Sequence, residues 1–249
     1  MKQKRILTVQ DLSCLGKCSL SMSAAILSAM GHEAVCLPTA LLSTHTGEFK
    51  GYTFLSLAEE NKNILNHWRN LNLSFDGILV GYLGGLEQIE NTISLIKRFG
   101  KDAFVVVDPA MADGGELYAG FTEEYVEKMK VLCNMANIIT PNADETKLLS
   151  GSVSCPIVET GVAKNNEIGV RFQGKEWLKP KFPGHFYGTG DAFSAALISA
   201  YMKFDDMDKS IEIALNFVWG SIEKTVQCEN KRWYGINFEQ NLPYLTSIR

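Results

Sequence analysis

The sequence predicts an α/β protein, three layers deep, with a mostly parallel central sheet between two layers of helices. Short runs rich in Val and Ile alternate with longer helical segments, as strands joined by helical crossovers do. One of them, Phe104-Val-Val-Val107, reads as a strand buried on both faces. Polar or glycine-rich residues recur where the predicted strands end: Asp11, Gly81-Tyr82, Asp108, Asn142 with Glu145, and Thr160-Gly161. In an open parallel sheet the ligand crevice lies outside the carboxyl ends of the strands, so these distant residues can converge.

The elements follow in order. Ile6–Gln10 is a first strand, Leu12–Gly16 a turn, and Ser19–Met30 a helix stopped by Gly31. Ala34–Leu37 is a second strand. Asp76-Gly77 leads into the strand Ile78–Val80, a glycine-rich break at Gly81–Gly85, and a helix through Ile89, Ile93 and Ile96. The strand Phe104–Val107 stops at Asp108-Pro109, where proline removes a ladder donor. Thr122 caps a helix to Met135, with Glu123 and Glu124 in the first turn where the macrodipole favours negative charge. A reciprocal capping box is absent there, because Tyr125 stands where Glu or Gln would be needed. Asn137–Thr140 is a strand, and Pro141 and Asn142 open a short helix to Leu149. Pro156–Thr160 is a strand and Ile168–Phe172 its hairpin partner. Helices over Asp191–Met202 and Met207–Thr225 complete the chain. No repeat or linker divides it, so a single domain over 1–249 is expected.

Composition narrows the function. The 249 residues are 46% apolar and 21% charged, with a mean hydropathy of −0.02, which suits a soluble globular chain with a core that needs no staples. No run reaches the roughly 18 apolar residues of a spanning helix, and Ile6–Gln10 is too short for a signal peptide; a cytoplasmic location is expected. With 24 basic against 28 acidic residues and a net charge of −4, nothing resembles a nucleic-acid footprint. A small-molecule partner is expected instead. The six cysteines are scattered, only Cys14 and Cys18 being close, and read as buried free thiols rather than zinc ligands.

The sharpest chemical signal is Pro183-Gly-His-Phe-Tyr-Gly-Thr-Gly-Asp191, a glycine-rich turn running into what reads as an amphipathic helix. Glycines let backbone N–H groups approach an anion, and the helix N-terminus adds positive partial charge. Asp191 sits at the mouth of that cradle. A carboxylate there is either a first-turn acid stabilising the helix or a base that takes a proton from an attacking hydroxyl. The Gly-x-x-x-x-Gly-Lys order of a P-loop and the Gly-x-Gly-x-x-Gly of a dinucleotide fold are both missing.

Gly188-Thr-Gly-Asp191, Asn142-Ala-Asp-Glu145 after Thr140-Pro141, and Asp108-Pro-Ala-Met-Ala-Asp113 together resemble the ribokinase superfamily, in the same order and over essentially the whole chain. Thr44-His-Thr-Gly47 with Lys50-Gly51, the Gly81-Tyr82 turn and Pro183-Gly-His185 narrow the resemblance to the pyridoxal (vitamin B6) kinases. The resemblance implies a ribokinase-like fold and ATP-dependent phosphorylation of the 5′-hydroxymethyl group of pyridoxal, pyridoxine or pyridoxamine. Asp191 is then the general base, with Gly188, Thr189 and Gly190 forming the anion hole. Asp108 and Glu145 attend Mg2+, with Asn142 in its water shell. Asp113, Tyr118, Thr140, Asn142 and Thr160 sit along ATP. Asp11, His45, Thr46 and Tyr82 border the pyridine ring, where an aromatic face suits a flat heterocycle. The resemblance further implies a homodimer, a flap over Thr39–Tyr52 that closes on substrate, and a monovalent cation, K+, as a candidate cofactor.

Three departures from the family pattern stand out. Asp11 replaces a serine of the better-known pyridoxal kinases, which points toward a cationic vitamer, pyridoxamine. Met111-Ala-Asp113 replaces Met-Gly-Asp, implying only a stiffer turn. Relatives carry a further helix of about 15–20 residues, about 25 Å at helical rise, between Gly151 and Ile157. Its absence means either a true deletion that exposes part of a sheet face or a stretch left out of the sequence near 151–155; the second is expected. The nearest rival activity is a hydroxymethylpyrimidine kinase of thiamine synthesis. A non-catalytic pyridoxal phosphate binding protein is the other alternative, against which the intact Asp191, Asn142 and Glu145 argue. Sugar and nucleoside kinases carry a strand lid near the N-terminus that is not seen here.

Overall fold

The computed structural model describes residues 3–229 and 232–248. The chain begins with β1 (Arg5–Leu15), α1 (Ser19–Ala29), β2 (Glu33–Thr44), β3 (Phe54–Ser56) and α2 (Ala58–Arg69). It continues through β4 (Gly77–Val80), α3 (Leu86–Phe99), β5 (Phe104–Val107), a small hairpin of β6 (Ala112–Asp113) and β7 (Glu116–Leu117), and α4 (Glu123–Cys133). Then come β8 (Ile138–Ile139), α5 (Ala143–Leu149), β9 (Val158–Lys164), β10 (Glu167–Phe172) and β11 (Lys175–Pro180). The last elements are α6 (Thr189–Phe204), α7 (Met207–Gln227), a 3-10 turn at Phe238–Asn241, and α8 (Leu242–Ser247).

Six strands form the central sheet in the order β3-β2-β1-β4-β5-β8. All neighbours are parallel except β3, which runs antiparallel on the β2 edge. Register and side-chain alternation explain the two cores. Leu7, Ile78 and Val105 lie side by side and face one cluster with Val9, Val80, Val107 and Ile139. The residues between them, Ile6, Leu79, Val106 and Ile138, face the other. The first face is covered by α2, α3, α4 and α5, the second by α1, α6, α7 and α8. β4, β5, β8 and the first half of β1 therefore bury both faces, which is why these segments read as unbroken apolar runs.

The expected α/β fold with a mostly parallel sheet is what the chain adopts, and several local expectations need correction. Leu12–Gly16 is not a turn: β1 runs on to Leu15, paired with β2 to Thr44. The second strand does not stop at Leu37 either. Pro38 lacks a ladder donor, but the register shifts beside it, between Gln10 and Leu12 of β1, and the irregularity accommodates the missing N–H. The first six residues of the expected flap, Thr39–Thr44, are thus sheet. The helix after the glycine loop is not amphipathic, since Ala192–Ala200 are all buried. Cys14 and Cys36 are exposed rather than buried. α2 escaped the pattern because it is mostly polar, with only Ala58 and Asn61 buried.

Between α5 and β9 the chain crosses without a helix. Asn134 grips the crossing: its amide nitrogen donates to the Ser152 carbonyl at 2.8 Å and its oxygen accepts from the Ser154 N–H at 2.9 Å. Val153, Cys155 and Ile157 pack on the core below. A single parallel bridge, Ile139 to Ile157, links the central sheet to the antiparallel sheet β11-β10-β9. In that sheet Gln173 and Gly174 both have positive φ, +48° and +79°, the mark of a two-residue hairpin turn.

Two glycines of this sheet make a matched test. A Cβ at Gly169 would lie 1.8 Å from the Trp177 carbonyl oxygen, backbone that cannot step aside, whereas Gly174 faces open space and needs glycine only for its φ. Gly169→Ala should lower unfolding free energy by about 2–4 kcal/mol, and Gly174→Ala by about 1 kcal/mol, in urea titration. Equal losses would mean that the clash is not what fixes Gly169.

Candidate active site

The residues at the strand ends are set in a row by backbone hydrogen bonds. Gly81 N–H donates to the Val9 carbonyl at 3.1 Å, Asp108 to Val80 at 2.8 Å, Thr140 to Val107 at 3.1 Å and Thr160 to Pro141 at 2.8 Å. The row crosses the point where strand order reverses, between β1 and β4, which is where open sheets bind ligands. Beside it lies a cavity of about 480 Å³. Eleven of the expected site residues line it: Asp108, Asp113, Tyr118, Thr140, Asn142, Glu145, Thr160, Gly188, Thr189, Gly190 and Asp191. Its far wall is apolar, with Val170, Leu215, Val218 and Trp219, and carries Lys179 and Lys181 at the end of β11.

The glycine loop leads into α6 through Gly188, whose φ is +83°; a Cβ there would also meet Met22 at 2.9 Å. No side chain caps α6, so its first N–H groups face the cavity as an anion cradle. Asp191 stands in the first turn with part of its surface open. Its Oδ2 accepts the Ser19 N–H at 2.9 Å and its Oδ1 accepts the Gln10 Nε2–H at 3.4 Å. Burial, then the negative charges of Asp108 and Asp11, push its carboxyl up to about 7, against the lowering effect of the Ser19 bond. That value suits a group that exchanges a proton near neutrality.

Asp108 is tied to the same helix one turn on. Ser194 Oγ donates to Asp108 Oδ2 at 3.1 Å and in turn accepts from Thr140 Oγ1 at 2.8 Å. Burial and the charge of Glu145 raise Asp108 well above the usual carboxylate range. Glu145 is raised as well, chiefly by burial. Its oxygens are engaged: Oε1 accepts from Met111 N–H at 2.9 Å and Ala112 N–H at 3.4 Å, and Oε2 from Asn142 N–H at 2.9 Å. The Asn142 oxygen caps Asp144 and Glu145 in return, and its amide nitrogen donates to the Ala112 carbonyl at 2.7 Å. This is a reciprocal capping box that pins the loop after β5 to α5. Ala112 has an ordinary strand conformation, so it fits where relatives are expected to carry glycine.

Among the described residues no three acidic, histidine or cysteine side chains are placed to hold one metal ion directly. Buried acids facing a cavity with an anion cradle nevertheless fit a divalent cation held largely through water, since such a cation would relieve their mutual repulsion. Among the described acids Asp108 is the most available ligand, since Ser194 donates to its Oδ2 while both oxygens of Glu145 are taken by backbone N–H groups.

The four residues expected beside the pyridine ring, Asp11, His45, Thr46 and Tyr82, lie outside this cavity's lining. Asp11, 4% exposed, accepts from Ser13 Oγ at 2.9 Å; burial, its largest influence, raises it. His45 is a neutral latch: Gly47 N–H donates to its Nδ1 at 3.0 Å, which leaves Nε2–H to donate to the Tyr234 carbonyl at 2.7 Å, and burial lowers its pKa. Its ring packs 5.2 Å from Tyr187 of the glycine loop, and a Cβ at Gly16 would strike it at 2.2 Å. Thr46 is exposed on the loop beyond. Tyr82 stacks on Phe121, which stacks on Tyr125 at 3.7 Å, and the Tyr125 hydroxyl donates to the Leu83 carbonyl at 2.5 Å. Asp11 nonetheless acts electrically on His45, Tyr82 and Asp191, so the two halves adjoin.

Sequence reading missed Gln10, Ser19 and Ser194. Ser194 stands three residues after Asp191 on one helical face, a spacing that could have revealed it. Ser19 acts through its backbone, which leaves no signature.

The buried acids oppose folding of the ligand-free protein. A carboxyl whose folded pKa is raised gives its stability below the unfolded value, about 4, and loses it as pH rises through the folded value. Asp108→Asn should therefore raise Tm at pH 8 by about 2–4 °C per kcal/mol relieved, with the gain shrinking toward pH 4. Thermal unfolding at both pH values reads this out, and a loss of Tm at pH 8 would contradict it.

The sequence pattern of the phosphomethylpyrimidine kinase family matches residues 25–170. An Arabidopsis thaliana pyridoxal kinase is 26% identical over 92% of this chain and 85% of its own. A Lactobacillus plantarum pyridoxal kinase structure superposes with a TM-score of 0.91 at 26% identity, over 98% of this chain and 97% of that one. A candidate phosphomethylpyrimidine kinase from Bacteroides thetaiotaomicron, crystallised with pyridoxal, is 33% identical over 98% of this chain and 96% of its own, with a TM-score of 0.89. With a match over more than half its length and a motif-bearing cavity at the carboxyl ends of its strands, the chain belongs to the phosphomethylpyrimidine kinase family of ribokinase-like kinases.

Proposed function

We propose that this chain is an ATP-dependent kinase that phosphorylates the 5′-hydroxymethyl group of a vitamin B6 vitamer. The observation that carries the reading is Asp191, tuned to about 7, beside the uncapped N-terminus of α6. Asp191 takes the proton of the substrate hydroxyl as its oxygen attacks the γ-phosphorus. The bond to the β–γ bridging oxygen breaks and ADP departs. Charge on the transferred phosphoryl oxygens is met by the backbone of Gly188, Thr189 and Gly190. The apolar wall of Val170, Leu215 and Val218 suits a nucleotide base, and Lys179 and Lys181 its phosphates. Asp113, Tyr118, Thr140, Asn142 and Thr160 would flank ATP.

A bound Mg2+ would neutralise phosphate charge during transfer, held by Asp108 and through water by Glu145 and Asn142; K+ would be an accessory ion. Asp11, His45, Thr46 and Tyr82 would frame the pyridine ring. A cytoplasmic homodimer completes the reading, with exposed Leu41, Phe54 and Leu55 at the β2–β3 edge as apolar surface for a second copy. The family match also admits a hydroxymethylpyrimidine, the less favoured substrate beside the pyridoxal kinase relatives, which makes it the comparison substrate.

Coupled ADP release with Mg-ATP should show turnover of pyridoxal, pyridoxine or pyridoxamine, and Asp191→Ala should reduce it by about 10²–10⁴-fold. Turnover of hydroxymethylpyrimidine alone would move the activity to thiamine synthesis. No turnover with tight pyridoxal phosphate binding would make this a binding protein. Since Asp191 must be ionised to accept a proton, kcat/KM should fall as pH drops through about 7; a flat profile from pH 5 to 8 would exclude Asp191 as the base. Asp11→Ser should weaken pyridoxamine turnover more than pyridoxal turnover, and equal effects would refute the preference for a cationic vitamer.

A further inference from the structure

Asp191 is oriented from outside its own helix. Gln10 is fully buried near the middle of β1, and Thr8 Oγ1 donates to its Oε1 at 3.1 Å. That bond fixes the amide, because a hydroxyl donating to Oε1 leaves Nε2 directed at Asp191 Oδ1, 3.4 Å away. Room for the amide exists only because residue 81 is glycine: a Cβ there would lie 2.3 Å from Nε2. The second oxygen of Asp191 takes the Ser19 N–H, presented by a turn in which Lys17 and Ser19 both adopt left-handed φ, +40° and +50°. Non-glycine residues adopt that conformation at a cost of about 1–2 kcal/mol each. Two successive parts of the chain, β1 and the start of α1, therefore aim one donor each at the two oxygens.

We propose that Gln10 is a positioning residue that holds the Asp191 carboxylate toward the substrate hydroxyl, with Thr8 and Gly81 fixing Gln10 in turn. The inference rests on reading Asp191 as the base. The choice of glutamine has a physical reason. The groups acting electrically on Asp191 include Asp11, Asp108, Cys18 and Tyr118, none of them cationic. Without a donor, repulsion from Asp108 and Asp11 would turn the carboxylate away. A lysine or arginine would hold it but depress its basicity by about 1–3 units. A neutral amide orients the carboxylate and leaves it basic near pH 7.

The test is Gln10→Met, which keeps the length of the side chain and removes the donor. With a B6 vitamer, kcat should fall about tenfold, one hydrogen bond's worth, while KM for ATP stays within about twofold. The acid limb of kcat/KM should move up by about half a unit to one unit, because the charged form has lost a donor. A second readout needs no turnover: a carboxyl 13C titration of the ligand-free protein, with the Asp191 signal assigned by its loss in Asp191→Asn, should show the same upward move. If no vitamer is phosphorylated but the titration moves, the kinase reading fails and the positioning role stands. If vitamers are phosphorylated but neither kcat nor either midpoint moves, the positioning role is overturned. Gly81→Ala supplies a variant that leaves Gln10 in the sequence and displaces its amide. It should reproduce the kcat loss, and adding it to Gln10→Ala should cause no further loss, whereas additive losses would show that Gly81 acts independently of Gln10 and overturn the linkage.

Discussion

The structure turns on placing several carboxylates side by side with no cationic side chain, among the described residues, acting on Asp108, Glu145 or Asp191 as a leading influence. Asp108, Glu145 and Asp191 are each raised above the ordinary carboxylate range, and each counts another acid among the causes. Hydrophobic burial elsewhere must supply the stability that this arrangement removes, and the two apolar layers against the sheet do so. Backbone donors hold the acids individually: Met111, Ala112 and Asn142 on Glu145, and Ser19 on Asp191. An anion cradle and a cluster of acids act in opposite senses, and an anionic ligand carrying a divalent cation would satisfy both together.

The strands were legible because burial on both faces imposes unbroken apolar runs, as in Phe104–Val107 and Ile78–Val80. The glycine loop was legible because only particular backbone conformations bring N–H groups to an anion, and Gly188 adopts one of them. What stayed hidden was set by long-range pairing. β1 continues to Leu15 because β2 accompanies it, and β2 survives Pro38 because the register shifts beside it. Neither fact is local. α2 and β3 are largely exposed, so no periodicity marks them.

At the site, the acids and glycines could be named from the chain, but their duties could not. Asn142 and Glu145 were read as parts of a magnesium shell, and the structure also engages them as a reciprocal cap that fastens the loop after β5. The spacing that could have announced this, Asn followed three residues later by Glu, was present in the sequence. His45 was read as a substrate neighbour, and both its ring nitrogens are engaged by backbone. Gln10 lies next to Asp11 on β1, and strand alternation turns it to the opposite face, toward α6.

α6 has no solvent-facing side over Ala192–Ala200, and six of those nine positions are alanine or serine. Small side chains bring its backbone close to its neighbours, so Asp191, which it carries, is a fixed point of the molecule. The groups expected around the heterocycle belong instead to β1 and to loops: Asp11 at the register shift of β1, His45 and Thr46 beyond β2, and Tyr82 in the turn after β4. Divergence among relatives that act on different heterocycles can then proceed by exchanging loop residues one at a time. An alteration of α6 would by contrast disturb the core of the fold, because Ala192–Ala200 are buried in it.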